Sequence, residues 1–329
     1  MTGITTGPPA GPATGARLAL LRRRTDGPAG DGSTGPGPRT RRRRPSLTPY
    51  LFLLVPVALL ITFTYVPVVS MFQYSLTDWN GISKTRDSVG LSNYVRIFSD
   101  PEYFRVFFVS LYYFAASFVQ MALALYFATV LSFSTWFRNL FKGILFFPYL
   151  INGVAIGFTF LYFFRPGGTL DTTLAAFGLE ALTTQWLGNP DAINVSLAAT
   201  SVWRYMGLNF VLFLGAIQSI NPSLYEASEL DGANRWHQFR WIILPSIKPI
   251  VTLSFILAIS GSLAVFEVPF IMTGGANGSR TFVIQTVEMA FEFRRVGLAS
   301  AMAVVLLLFV LLLTWIQRRI VPDEKVNLT

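Results

Sequence analysis

Apolar residues run in long stretches along this chain, and most charges gather between them. Six stretches reach the roughly 20 residues that a helix rising about 1.5 Å per residue needs to cross a bilayer core. They run from about Tyr50 to Gln73, from about Val106 to Phe133, between Lys142 and Arg165, from about Val195 to Ile220, from about Pro249 to Met272, and between Arg295 and Arg318. The pattern predicts an all-α, polytopic membrane protein with six transmembrane helices. Two spans carry a single charge each, Arg204 in the fourth and Glu267 in the fifth. Pro56, Pro67, Pro148, Pro249 and Pro269 fall in or at the ends of spans, where membrane helices tolerate proline because neighbours re-satisfy the freed carbonyls. The third span contains "GVAIG", Gly153 to Gly157. Small residues at this spacing allow close helix approach, and a chance match in a Gly-rich helix is the plainer alternative.

Composition agrees with the pattern. The 329 residues are 52% hydrophobic and 13% charged, against about 25% charged in an ordinary soluble domain. Cysteine is absent and His237 is the one histidine. That excludes a disulfide framework and leaves almost nothing for a thiolate or histidine metal site or a Ser-His-Asp triad. Residues 1–47 are a different material, rich in Gly, Pro, Thr and Ala, and are expected to be disordered because they cannot bury enough apolar surface to offset chain entropy. They end near "RRRR", Arg41 to Arg44. Directly before an apolar span, this run reads as a stop against translocation rather than a nucleic-acid patch. The basic tail and apolar stretch are too long for a cleaved signal peptide. The expected domains are the tail 1–47, a six-helix domain 48–320 containing a polar segment at 221–249, and a C-terminal tail 321–329.

Charge placement sets the orientation. With the N-terminus in the cytoplasm, inside segments hold 17 Lys and Arg residues and outside segments hold eight. Cytoplasmic loops carry such an excess, and an even span number puts both ends on that side. The polar stretch "NPSLYEASELDGANRWHQFRWIILP", Asn221 to Pro245, then faces the cytoplasm between spans four and five. Ser223 is placed to cap a helix, with Glu226 completing a capping box. Leu224, Ala227 and Leu230 recur at helical spacing. Gly232 permits a turn or a close approach that a side chain would block. "ANRWHQF" makes a second short helix with Trp236 and Phe239 on one side, and Pro245 and Pro249 punctuate the return to the membrane. Two readings of this knuckle stay open on physical grounds, an interfacial anchor and a rigid knob for a partner protein.

"EASELDGA", followed by Ala233 to Trp241 and then "IILP", resembles the EAA motif of binding-protein-dependent ABC importers. Glu226, Ala227, Gly232, Ile242, Leu244 and Pro245 fit that motif, and Ser228 stands where a second alanine is usual. "SLTDWNG…VGLSNYVRIFSDPEYF", "VWRYMGLNFVLFLGAIQSINPSLYEAS" and "FEVPFIMTGGANGSRT" are similar to other regions of the family's carbohydrate branch. The resemblance covers about Pro49 to Arg319. It implies a permease subunit in a bacterial plasma membrane, whose knuckle is a coupling helix seated on a separate ATPase dimer. Glu226, Ala227, Asp231, Gly232, Ala233, Trp236, Phe239, Leu244 and Pro245 would form that contact. It further implies a second permease subunit and an extracellular sugar-binding lipoprotein. ATP and magnesium would sit on the ATPase, with no cofactor or metal on this chain and no nucleic-acid partner.

In the membrane, Arg204 and Glu267 could match in depth to within about 5 Å. Intramembrane charges face a cavity or each other. Either they form a structural pair that lets the bundle close, or they border a sugar path. The resemblance favours this neighbourhood as the route. Tyr205, Gly207 and Asn209 offer an aromatic face, a close backbone and an amide that suit a sugar, although Gly207 and Asn209 serve helix packing equally well. No G-x-x-x-x-G-K-[ST] phosphate loop occurs, so ATP hydrolysis is assigned to a partner. A self-contained ion-coupled transporter is the alternative; it would show more spans and often an inverted repeat. A membrane-embedded transferase would need an acidic or metal cluster at one face. Neither explains the knuckle.

Overall fold

The computed structural model describes residues 48–133 and 138–320. The tails at 1–47 and 321–329 lie outside the described residues. The chain divides into a unit Met1–Leu54, whose described residues 48–54 are helical, and a unit Val55–Thr329 that carries everything else. The described residues are helical throughout, apart from connecting loops and one isolated antiparallel bridge between Thr77 and Ser88.

The first apolar segment, Leu51–Ser75, joins α1 (Thr48–Leu60), a π turn at Ile61–Tyr65 and α2 (Val66–Ser75). The π turn ends two residues before Pro67. Proline lacks a donor and collides with the carbonyl four residues back, and a locally widened turn relieves both. After α3 (Ser92–Ser99), the second segment, Pro101–Ser132, joins α4 (Pro101–Arg105), a 3₁₀ turn and α5 (Val109–Ser132). The loop between α2 and α3 sits on the start of the last helix, where Gly297 N–H donates to Trp79 O at 2.9 Å.

The third segment, expected as one span, carries a sharp break. It is a broken pair, α6 (Arg138–Leu150) and α7 (Gly153–Phe164), bent by 97°. Asn152 takes an extended backbone and its side chain accepts from Val154 N–H at 2.8 Å, so a new helix starts there. Among the described residues, five helices are long and apolar enough to cross a membrane, or six if this bent pair is one span. Beyond α8 (Thr169–Ala176), the fourth segment is one helix, α9 (Pro190–Gln218). The polar knuckle follows as α10 (Pro222–Leu230), α11 (Arg235–Gln238) and α12 (Leu244–Ser246). The fifth segment, Lys248–Thr273, is interrupted at Ala264–Phe266 and splits into α13 (Lys248–Leu263) and α14 (Glu267–Thr273). The short α15 (Phe282–Phe291) leads to α16 (Val296–Ile320).

The bundle is organised on α9, which packs along α5, α6, α13 and α14. One core joins Ala124, Ala128 and Leu131 of α5 to Phe210, Phe213, Leu214 and Ile217 of α9. Small residues on α5 let the large side chains of α9 approach closely. Ile243 and Ile247, on the way back from the knuckle, are fully buried in this core. The knuckle is thereby fastened directly to the helix pair at the centre of the bundle.

Candidate functional site

The knuckle is a built structure rather than a loose connection. Its first helix is capped two residues earlier than the sequence suggested. Asn221, not Ser223, is the N-cap, accepting from Ser223 N–H at 3.0 Å, with Pro222 as the first helical residue. Asn is at least as good a cap as Ser, and proline is favoured at the first position because its missing donor is not needed there. Glu226 and Ala227 consequently lie in mid-helix on an exposed face.

Gly232 ends α10 with φ +80°. Its N–H donates to Glu229 O at 3.1 Å and Ala233 N–H donates to Ser228 O at 2.9 Å. These two bonds form a Schellman motif, which requires a left-handed residue at the glycine position. Nothing lies within 4 Å of a Cβ built on Gly232, so the glycine serves the turn and not a close approach within this chain. Asn234 then caps α11, accepting from His237 N–H at 2.9 Å. The helix widens into a π turn at Phe239–Ile243 ahead of Pro245 and continues as α12. The helix therefore runs through Pro245 instead of stopping there. Leu244 is half-buried and Pro245 exposed.

Gln238 was not singled out by sequence pattern, yet it joins the two arms. It is 1% exposed. Its amide donates to Ser228 Oγ at 3.2 Å and to Glu229 Oε1 at 3.3 Å, and its carbonyl accepts from Arg235 at 3.3 Å. Arg235 also approaches Glu229 at 3.8 Å and stacks over Phe133 at 4.1 Å. Only the polar atoms of α10 and α11 seen together reveal this tie. Trp236 and Phe239, grouped by sequence, have separate surroundings. Their rings sit 5.5 Å apart, but Trp236 is 66% exposed while Phe239 packs against the core of α5 and α9. Tyr225 packs on the same core, and burial pushes its phenol above the ordinary range.

A surface hollow of about 330 Å³ opens between the two arms, lined by Ser228, Asp231, Gly232, Ala233, His237, Gln238, Trp241 and Ile242. Trp241 of this lining is 70% exposed, and Leu230 at the end of α10 is 90% exposed. Large apolar side chains held out on a braced polar segment suit either a membrane interface or a partner's surface.

The second candidate region lies within the bundle. Arg204 Nη1 and Glu267 Oε2 form an ion pair at 2.9 Å, with the arginine side chain 13% exposed and the carboxylate 53% exposed. Arg204 also sits over the Tyr205 ring at 5.0 Å, and Tyr205 faces Tyr149 at 6.3 Å. Glu267 is the first residue of α14, where a carboxylate is favoured by the helix dipole. Gly207 is a packing position. A Cβ there would strike Leu145 O and come within 2.9 Å of Phe146 Cα. Asn209 is buried. Of the five residues expected along a path, Arg204, Tyr205 and Glu267 come together, while Gly207 belongs to the contact between α6 and α9. "GVAIG" is a contact surface as well. A Cβ on Gly157 would press on Ile271 at 2.7 Å, and one on Gly153 would strike Glu267 and Arg204.

Residues 120–326 match the family described as "Binding-protein-dependent transport system inner membrane component". The chain is 34% identical over 289 residues to a probable ABC transporter permease protein, YurN, of Bacillus subtilis, covering 85% of this chain and 97% of that protein. It is 27% identical over 271 residues to MsmF of Streptococcus mutans, a multiple sugar-binding transport system permease, covering 82% and 93%. Its fold matches a solved bacterial ABC transporter involved in import of the acidic polysaccharide alginate, with TM-score 0.71 and 23% identity over 83% of this chain and 96% of that one. The chain belongs to the family of inner-membrane components of binding-protein-dependent transport systems.

Proposed function

We propose that this chain is the permease subunit of an ATP-driven importer for a carbohydrate, and that its knuckle is where a separate ATPase engages it. The observation that carries the reading is the construction of residues 221–247. Two short capped helices are joined by a left-handed glycine, tied by Gln238, and anchored by Ile243 and Ile247 in the core of α5 and α9. A push on such an element moves the centre of the bundle instead of dissipating in a loop. Names of relatives support the substrate class: MsmF is a multiple sugar-binding system permease and LacF of Rhizobium radiobacter a lactose one.

In this reading the bent pair α6–α7 counts as one of six spans, and both termini and the knuckle are cytoplasmic. Glu226, Ala227, Asp231, Gly232, Ala233, Trp236, Phe239, Leu244 and Pro245 form or support the ATPase contact. A second permease subunit completes the membrane pore, an ATPase dimer holds ATP and magnesium, and an external lipoprotein delivers the sugar. Arg204, Tyr205 and Glu267 border the route, with Gly207 and Asn209 packing behind them. The test is co-purification with an ATPase encoded nearby, followed by ATP hydrolysis in proteoliposomes with and without the cognate binding protein. Hydrolysis stimulated by the binding protein is expected. A chain that purifies alone and accumulates solute driven by an ion gradient would overturn the reading in favour of a secondary transporter.

A further inference from the structure

We propose that the Arg204–Glu267 pair, seated on Gly153, is a releasable latch that ties the α7–α14 unit to α9 and sets when the bundle opens. This rests on the reading of the chain as a permease. Three observations converge. First, α14 is a short rigid piece with a break at each end. Ala264–Phe266 interrupts the helix before it, and Gly274 and Gly275 follow with φ +59° and +81°. The 97° bend before Gly153 gives α7 a comparable break. Rigid elements bounded by a few residues that absorb large backbone changes are the usual parts of hinge motions.

Second, α7 and α14 are packed as one body. Gly157 lies against Ile271, and Ile156 shares a core with Val268 and Met272. Glu267 begins α14 and reaches Arg204 in the middle of α9.

Third, the chemistry of the tie suits release. The Glu267 side chain is 53% exposed in the single chain; on the reading that it borders a hydrated route, the freed carboxylate faces water and not lipid, and a pair in contact with water holds only weakly. Arg204 is 13% exposed, lies over Tyr205, and its Nε is buried without a hydrogen-bond partner among the described residues. It is the fixed half of the latch.

Gly153 is the positioning residue. A Cβ there would occupy the place of Glu267 Oε2 and come within 2.6 Å of Arg204 Nη1. Both atoms are ends of flexible side chains, so Gly153→Ala displaces the pair without striking backbone. Loss of the latch should then be obtained in three ways, by Gly153→Ala, Arg204→Gln or Glu267→Gln, while the charge-exchanged double variant Arg204→Glu with Glu267→Arg keeps a tie. Gly215→Ala on α9 meets open space and is the control.

The measurement is ATP hydrolysis by the reconstituted complex without binding protein, with assembly checked by gel filtration. Each single change is expected to raise this unstimulated rate on the order of fivefold or more, the scale of a typical coupling between sites. The double exchange should bring it back toward wild type. Unchanged unstimulated hydrolysis in all three assembled single variants would overturn the latch. So would single variants whose rates rise but are not lowered by the exchange, since a purely structural role has no reason to respect charge complementarity. A wild-type chain that assembles with no ATPase would instead sink the permease reading on which the latch rests.

Discussion

Replacing Gly232 separates the turn from everything else in the knuckle. No atom lies within 4 Å of a Cβ built there, so the added carbon itself meets no obstruction within this chain. The cost comes from the backbone at φ +80°. An L-residue in the left-handed region costs roughly 1–2 kcal/mol, with asparagine among the few that visit it routinely. Valine, being β-branched, is a genuine outlier there. A penalty of about 1.4 kcal/mol is a tenfold population change, so the Schellman bonds to Ser228 and Glu229 should open appreciably in the alanine variant and largely in the valine variant. The anchors Ile243 and Ile247 lie beyond the turn and are untouched. The expected result is therefore graded. Gly232→Asn keeps most binding-protein-stimulated hydrolysis and uptake, Gly232→Ala loses a large part, and Gly232→Val loses nearly all. All three should remain in the membrane at normal levels. Uptake in proteoliposomes per assembled complex is the assay. Undiminished uptake by Gly232→Val, or equal loss in all three, would refute the assignment of the defect to left-handed geometry.

Gln238→Leu should loosen α10 from α11, because Ser228 and Glu229 lose a buried donor and Arg235 an acceptor; about 1–3 kcal/mol is at stake, read as faster amide exchange across residues 222–238 with the bundle unchanged. Asn221→Ala should cost about 1 kcal/mol of helix stability at the start of α10, seen as fraying of the first turn by the same method. Gly207→Ala should lower the melting temperature and yield of the detergent-solubilised protein, since its Cβ meets backbone at Leu145 and Phe146, while Gly215→Ala on the same helix should not.

Much of this architecture was legible because apolar length is a strong signal in a membrane protein. The six stretches located every long helix, and the spacing from Glu226 to Pro245 located the knuckle. What sequence missed were features set by local hydrogen-bond competition. The Asn221 cap outcompeted Ser223 because Pro222 suits the first helical position. The break within the third stretch is set at Asn152, whose side chain caps a new helix. The same limit hid Gln238, whose role exists only when α10 and α11 are folded together. The Arg204–Glu267 pair was foreseeable from matching depths, but the space that admits it belongs to Gly153 on a third helix, which no pairwise pattern reveals. At Gly207, where a sugar-facing and a packing role were equally open from sequence, the backbone of Leu145 and Phe146 lies against the glycine and accounts for it by packing.

The most direct measurement uses the absence of cysteine in the native chain. A single cysteine placed at Trp236 or Leu230 carries a short photo-crosslinker in the assembled transporter, and a cysteine at Phe291 serves as the comparison site. If the knuckle is the coupling element, Trp236→Cys and Leu230→Cys should form adducts with the ATPase subunit whose yield changes when ATP binds, and Phe291→Cys should form none. Adducts at Trp236 and Leu230 confined to lipid, or ATPase adducts from Phe291 at comparable yield, would contradict it.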